Sequence, residues 1–182
     1  DAALAAIAVL RELSDEDRQA TPDEQAVLVR YPGFGGLARL FVSEEELKED
    51  RPWLARAREL RSLLTQKQYE DARASTRFAH YTSESVIKAM YHGLTHLGVE
   101  RGRFSEAGAG VGHFIGLMPP AMRQNSAFLA IERDELSAKI AAHLYPKQKI
   151  LHEDFTEIQL LDNSVDVAIG NPPFAADSIM EA

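Results

Sequence analysis

The chain has 182 residues, enough for one sizeable domain or one and a half small ones, and 45% of them are hydrophobic. It contains no cysteine, which excludes disulfides, thiolate metal sites and a cysteine nucleophile. A net charge of −8 excludes a uniformly basic, nucleic-acid-coating surface, although residues 51–103 form a net basic stretch between two acidic ones and carry Arg56, Arg58, Arg61, Arg73 and Arg77 as candidate phosphate-facing groups.

Residues up to about Leu97 read as helical, and no apolar run approaches the ~20 residues that cross a bilayer. No cleavable signal is visible, so a soluble, cytoplasmic protein without a membrane partner is expected. The first helix is predicted over Ala2 to Leu13, with others starting at Pro22, Ser43, Pro52 and Thr65. Thr21, Pro22 and Glu24 spell a capping box with proline at the first helical position. Pro32 to Gly36 is too rich in glycine for a helix and reads as a turn. After Tyr81, Thr82 is the expected N-cap of a helix whose Val86, Met90, Leu94 and Leu97 fall at helical spacing, and Gly98 is its expected stop. His92 and His96 lie four apart on that helix, but Gly93 stands where a metalloprotease has its glutamate, so no metal is expected.

From Arg103 the pattern changes to strands alternating with helices. A short strand around Arg103 to Ser105 leads into Glu106-Ala107-Gly108-Ala109-Gly110-Val111-Gly112-His113-Phe114. Its glycines allow tight turning and close approach of a ligand to the backbone. Ala127 to Ile131 is a continuous apolar run that suits a parallel strand buried on both faces, and it ends in Glu132, where doubly wound folds place the group that binds ribose hydroxyls. A helix over Ala138 to Tyr145 stops at Pro146, and a strand at Lys149 to Leu151 precedes Asp154 and Phe155. The carboxylate can accept a hydrogen bond from an adenine amine, and the ring can pack beside it. Val165 to Gly170 reads as an interior strand, and Asn171-Pro172-Pro173-Phe174 follows it. That loop offers an amide oxygen, a carbonyl held rigid by proline and an aromatic face, groups that suit a flat, amine-bearing acceptor.

Asn171 to Phe174 resembles the NPPF signature of S-adenosylmethionine-dependent amino methyltransferases, most closely the N6-adenine DNA enzymes. The resemblance implies a Rossmann-like α/β methyltransferase sheet over residues 79–182, truncated after its fourth strand, preceded by a helical region over 1–78. It assigns the acceptor amine to Asn171, Pro172, Pro173 and Phe174. It gives the methionine part of the cofactor Glu106, Gly108, Gly110 and Gly112, with Phe114 beside them, the ribose Glu132, and the adenine Asp154 and Phe155. Tyr81 and Thr82 resemble the Tyr-Thr-Pro element of gamma-order enzymes that reaches the cofactor carboxylate, with Ser83 in place of the proline.

The amino-terminal motifs, Ala20 to Gln25, Arg30 to Leu37 and Arg73 to Thr76, resemble the large methyltransferase-helicase proteins of phages and mobile elements, among them antirestriction proteins that travel with phage DNA. The implied partners are DNA with a flipped-out adenine and a helicase domain in the same polypeptide. RNA adenine and protein glutamine amides present the same planar NH2, and a non-catalytic DNA-binding module would keep the same fold. The chain begins without methionine and stops eight residues past Phe174, which leads us to expect a fragment, inactive alone, that self-associates through an uncovered sheet edge.

Overall fold

The computed structural model describes residues 2–76 and 81–172. The helical half begins with α1 (Ala2–Glu16) and α2 (Pro22–Leu28). Thr21 caps α2 as its sequence predicts: its side chain accepts from the Glu24 amide, and the Glu24 carboxylate returns a bond to the Thr21 amide. A turn over residues 29–37 and a short 3-10 helix (Ala38–Phe41) lead to α3 (Glu44–Leu47), α4 (Arg51–Leu63) and α5 (Gln66–Ser75). Ser43 and Thr65 form further capping boxes, with Glu46 and Gln68, and the Asp50 side chain caps α4. At these four starts the capping side chain therefore closes one of the helix's own free N–H groups.

The second half carries α6 (Glu84–His96), β1 (Arg103–Ala107), the short helices α7 (His113–Leu117) and α8 (Pro120–Gln124), β2 (Ala127–Glu132), α9 (Glu135–Leu144), β3 (Lys149–His152) and β4 (Val167–Ala168). Among the described residues these strands form one all-parallel four-stranded sheet in the order β3-β2-β1-β4. Strand order reverses between β1 and β4, which makes the crevice at their carboxyl ends the topological switch point where such sheets bind ligands. One face of the sheet, with Phe104, Phe128 and Ala130, packs with Ile87 and Tyr91 of α6 and Phe114 and Ile115 of α7. The other is covered by α9, which packs on β2 and β3.

Three local expectations change. α6 starts one residue later than predicted, with Ser83 and not Thr82 at the N-cap, and the Ser83 hydroxyl pairs with that of Ser85 instead of capping. α9 starts at Glu135 and not Ala138, because Asp134 accepts from the Ser137 amide and opens the helix a turn early. The run expected to be an interior strand forms only a two-residue ladder on β1, with Val167 half-buried and Ala168 exposed; among the described residues no strand lies on its far side. An exposed Asp166 immediately precedes that ladder. Its carboxylate takes the Arg103 guanidinium at 2.7 and 3.0 Å and the Arg103 amide at 2.8 Å.

The two halves share a core. Ile7, Leu10 and Leu13 of α1 cluster with Tyr31, Phe34 and Leu60 and also with Val111, Leu136 and Ile140 of the α/β part. Gln25 donates to the His143 carbonyl at 2.7 Å, and Gln68 to the Glu135 carboxylate at 3.1 Å. Three of the five candidate arginines have partners within the protein: Arg58 bonds to Glu44, and Arg56 and Arg61 lie over the Trp53 and Tyr69 rings, while Arg77 lies outside the described residues. Among the described residues no helix is long and apolar enough to cross a membrane.

A core that spans both halves should melt as one unit. Leu10→Ala is expected to cost about 2–5 kcal/mol, and denaturant unfolding followed by Trp53 fluorescence and by far-ultraviolet circular dichroism should give coincident curves. Two separated transitions would show that the halves fold independently.

Candidate functional site

The loop after β1 is built on left-handed glycines: φ is +71° at Gly108, +55° at Gly110 and +82° at Gly112. Side chains rarely adopt that backbone, so glycine is required on conformational grounds alone. The loop is stitched to β2. Gly108 and Ala109 both donate to the Ile131 carbonyl, at 2.9 and 3.1 Å, and the Gly110 amide donates to the Glu132 carboxylate at 2.7 Å. The other Glu132 oxygen accepts from the Asp134 amide at 2.7 Å. Burial raises the Glu132 carboxyl above its ordinary value, and these amides work against that shift. The Arg133 backbone also bonds to it, and three donors still leave one of the carboxylate's roughly four acceptor positions, so Glu132 can accept from a ribose hydroxyl while it holds the loop.

Glu106 stands at the carboxyl end of β1 and is only 4% exposed. One of its carboxyl oxygens, Oε2, is buried with no hydrogen-bond partner among the described residues. Burial, helped by the negative charge of Glu132, pushes the Glu106 carboxyl up to about 9. It therefore holds a proton at neutral pH. Across the switch point, a methyl group placed on Gly170 would lie 3.2 Å from Glu106 Cγ, so the end of β4 passes directly over this acid. Asn171 and Pro172 follow it and are exposed. Pro173 and Phe174 lie outside the described residues.

The remaining sequence-predicted residues separate by position. Gly108 is exposed and Gly110 half-buried at the mouth of the crevice, whereas Gly112 is buried under Tyr145: a side chain there would meet the ring at 2.6 Å. The Phe114 side chain is buried in the core beneath the loop, and its carbonyl accepts from the Tyr91 hydroxyl at 2.8 Å. At the end of β3, Asp154 spends Oδ1 on the Thr156 amide and hydroxyl, at 2.9 and 2.7 Å, and those bonds hold its carboxyl below the usual range. Its Oδ2 has only a 3.5 Å contact with Arg133. The adjoining Phe155 ring is 51% exposed, a large apolar face beside a carboxylate with acceptor capacity in hand. Thr82 is half-buried, and Tyr81 lies over the loop with its ring edge-on to His113 at 5.2 Å.

Tyr31, Gly33, Asp134 and Ser137 also meet this site, and reading the sequence did not place them there. The Asp134-Glu135-Leu136-Ser137 run carries an N-cap signal that could have found two of them. Gly33 carries only a turn signal, and what it touches is set by tertiary packing.

No metal-binding cluster of histidine, aspartate and glutamate occurs among the described residues. No protein-family model, curated protein or solved structure matches the chain. What the crevice can accommodate follows from its groups: backbone that a ligand can approach closely, a ribose-competent carboxylate, and a dry acid whose free oxygen would welcome a cationic or N–H-bearing group.

The Glu106 carboxyl gives a pH signature. Below its ordinary value of 4.5 the group is protonated in both folded and unfolded chains; as pH rises from there toward about 9 the unfolded chain ionises while the folded one keeps the proton. Its contribution to stability is therefore complete in acid and lost with rising pH. Glu106→Gln should melt above the parent at pH 8 and close to it at pH 5; a thermal difference that does not grow with pH would contradict this.

Proposed function

We propose that this chain is the cofactor-binding and acceptor-gripping part of an S-adenosylmethionine-dependent methyltransferase that acts on adenine N6 in DNA, within a larger phage or mobile-element modification protein. The observation that carries the reading is the juxtaposition of Glu106, buried with an unpartnered oxygen, and the Gly170-Asn171-Pro172 segment at one switch point. A cofactor site and an acceptor loop then share a single crevice.

When bound, S-adenosylmethionine supplies an electrophilic methyl group on a sulfonium. The residues present fit its parts. Glu106 offers an acceptor to the ammonium group, Gly108 and Gly110 let the backbone come close, Glu132 accepts from the ribose, and Asp154 with Phe155 serves the adenine. On the acceptor side, the Asn171 side-chain oxygen and the Pro172 carbonyl accept hydrogen bonds from the N6 amine. Those bonds draw the nitrogen out of conjugation with the ring and stabilise the positive charge it gains. Proline beside the amide keeps these acceptors ordered before substrate arrives.

Calorimetric titration with S-adenosylmethionine tests the cofactor, and the same titration with NAD tests the oxidoreductase that this strand order would also serve. Because Glu106 keeps its proton to about pH 9 in the free protein, engaging a cation there displaces that proton, so affinity should rise with pH over the neutral range. An affinity independent of pH would remove Glu106 from the ammonium site.

In the full-length protein, Asn171→Ala should abolish methyl transfer and leave cofactor affinity within about twofold, since its bonds matter mainly in the transition state. Mass spectrometry of nucleosides from treated DNA and RNA, and of glutamine-containing peptides, identifies the acceptor. N6-methyladenine formed at the parent rate by the variant would sink the role given to this loop.

A further inference from the structure

The Tyr81 side chain stands between two glycines from different halves of the chain. Its ring lies against Gly110, where an added methyl group would come within 3.1 Å of Cε1, and its hydroxyl lies so close to Gly33 that no side chain fits between them. Gly33 has a φ of +66°, in the left-handed region. The turn that carries it is firmly seated: Tyr31 and Phe34, on either side, are 2% and 1% exposed and pack edge to face at 5.8 Å, with Phe41 edge-on to Phe34 at 5.2 Å. Gly33 therefore cannot yield easily, and a group pressed against it is fixed in place.

Tyr81 is 39% exposed as a residue, but its hydroxyl end is dry. Burial, then the charges of Asp134 and Glu132, raise its phenol to about 12, against a hydrogen bond with Ser137. The same carboxylates, after burial, raise the phenol of Tyr31, whose hydroxyl is buried and unpartnered among the described residues. Both tyrosines thus lie near Asp134, the N-cap of α9, and near Glu132 at the end of β2, which grips the Gly110 amide.

From this arrangement we infer that Tyr81 is a positioning residue for the glycine loop, and that Gly33 of the helical half sets where Tyr81 lies. Gly110 is then held from two directions, its amide by Glu132 and its open face by the Tyr81 ring. The grip on the methionine part of the cofactor depends through Tyr81 on a turn about 75 residues earlier in the chain, beyond what either motif suggests alone. The inference rests on the reading that this loop binds S-adenosylmethionine.

Gly33→Ala, Tyr81→Ala and the double variant test it by calorimetry with S-adenosylmethionine and by amide hydrogen exchange at Gly110 without ligand. Each single change should weaken binding about tenfold, and the double variant should be no weaker than Tyr81→Ala, because Gly33 acts only through the ring. Exchange at Gly110 should quicken in both. Losses that multiply in the double variant, or parent-like binding by either single one, would overturn the inference. A parent chain that fails to bind S-adenosylmethionine would refute the proposed function, while the exchange rates would still decide the clamp: unchanged Gly110 protection in Tyr81→Ala rejects it. Should Gly33→Ala alone not fold, the double variant lacks the clash and is compared with Tyr81→Ala. Tyr81→Phe keeps the ring on Gly110 and should lose less binding than Tyr81→Ala and keep Gly110 protected from exchange; a loss equal to that of Tyr81→Ala would mean that the hydroxyl touches the ligand and that Tyr81 does not position the loop.

Discussion

A carboxylate and a backbone amide hold the site together: Glu132 accepts from Gly110 at 2.7 Å and so anchors the loop after β1 to the end of β2. Glycine loops are expensive to order, since the chain gives up more conformational freedom there than anywhere else. A buried carboxylate is expensive to ionise. Each offsets the cost of the other, because the charge needs the N–H donors and the donors need a partner that does not move. Glu106 has no such amide, and it remains the acid that keeps its proton. Two glutamates at the ends of adjacent strands are thus both raised by burial, but only Glu132 has backbone amides that work against the shift.

The helical half is part of this arrangement. Leu10, Leu136 and Ile140 lie in one hydrophobic cluster, and Gln25 and Gln68 reach across to α9. α9 in turn begins at Asp134, beside the loop that Glu132 holds. α1 and α2 thus pack on the body and far end of α9, and α5 bonds to its first residue.

Much of this could be read from the residue pattern. The capping boxes at Thr21, Ser43 and Thr65 depend on side chains three residues apart, and sequence displays them directly. The apolar run before Glu132 identified a buried parallel strand, and the glycine spacing identified the loop that follows β1. Functions that depend on distant partners were not legible. Gly112 reads the same as Gly108 in sequence, yet Tyr145 covers the first and solvent meets the second. The arginines of α4 read as a phosphate-facing surface, and their pairing with Glu44 and with the Trp53 and Tyr69 rings emerges only once the helices pack.

The ladder joining β4 to β1 is only two residues long, with Phe104 opposite Val167 and Ser105 opposite Ala168. Although Ala168 faces solvent, Ile169 is buried beside Phe104, and the amides of Asp166 and Ile169 donate to the Arg103 and Ser105 carbonyls at 2.8 and 2.9 Å, so burial and backbone bonds set this short register. The forked ion pair between Arg103 and Asp166 reinforces it at the exposed end of the strand. A slip of one residue would turn every side chain of the strand to the opposite face and carry Gly170 about 3.3 Å from its place against Glu106. That pair stands in solvent, where ions within a Debye length of about 8 Å weaken it. The ion pair's share in aligning the crevice therefore falls as ionic strength rises, whereas the burial of Ile169 and Glu106 beside it does not depend on salt in that way.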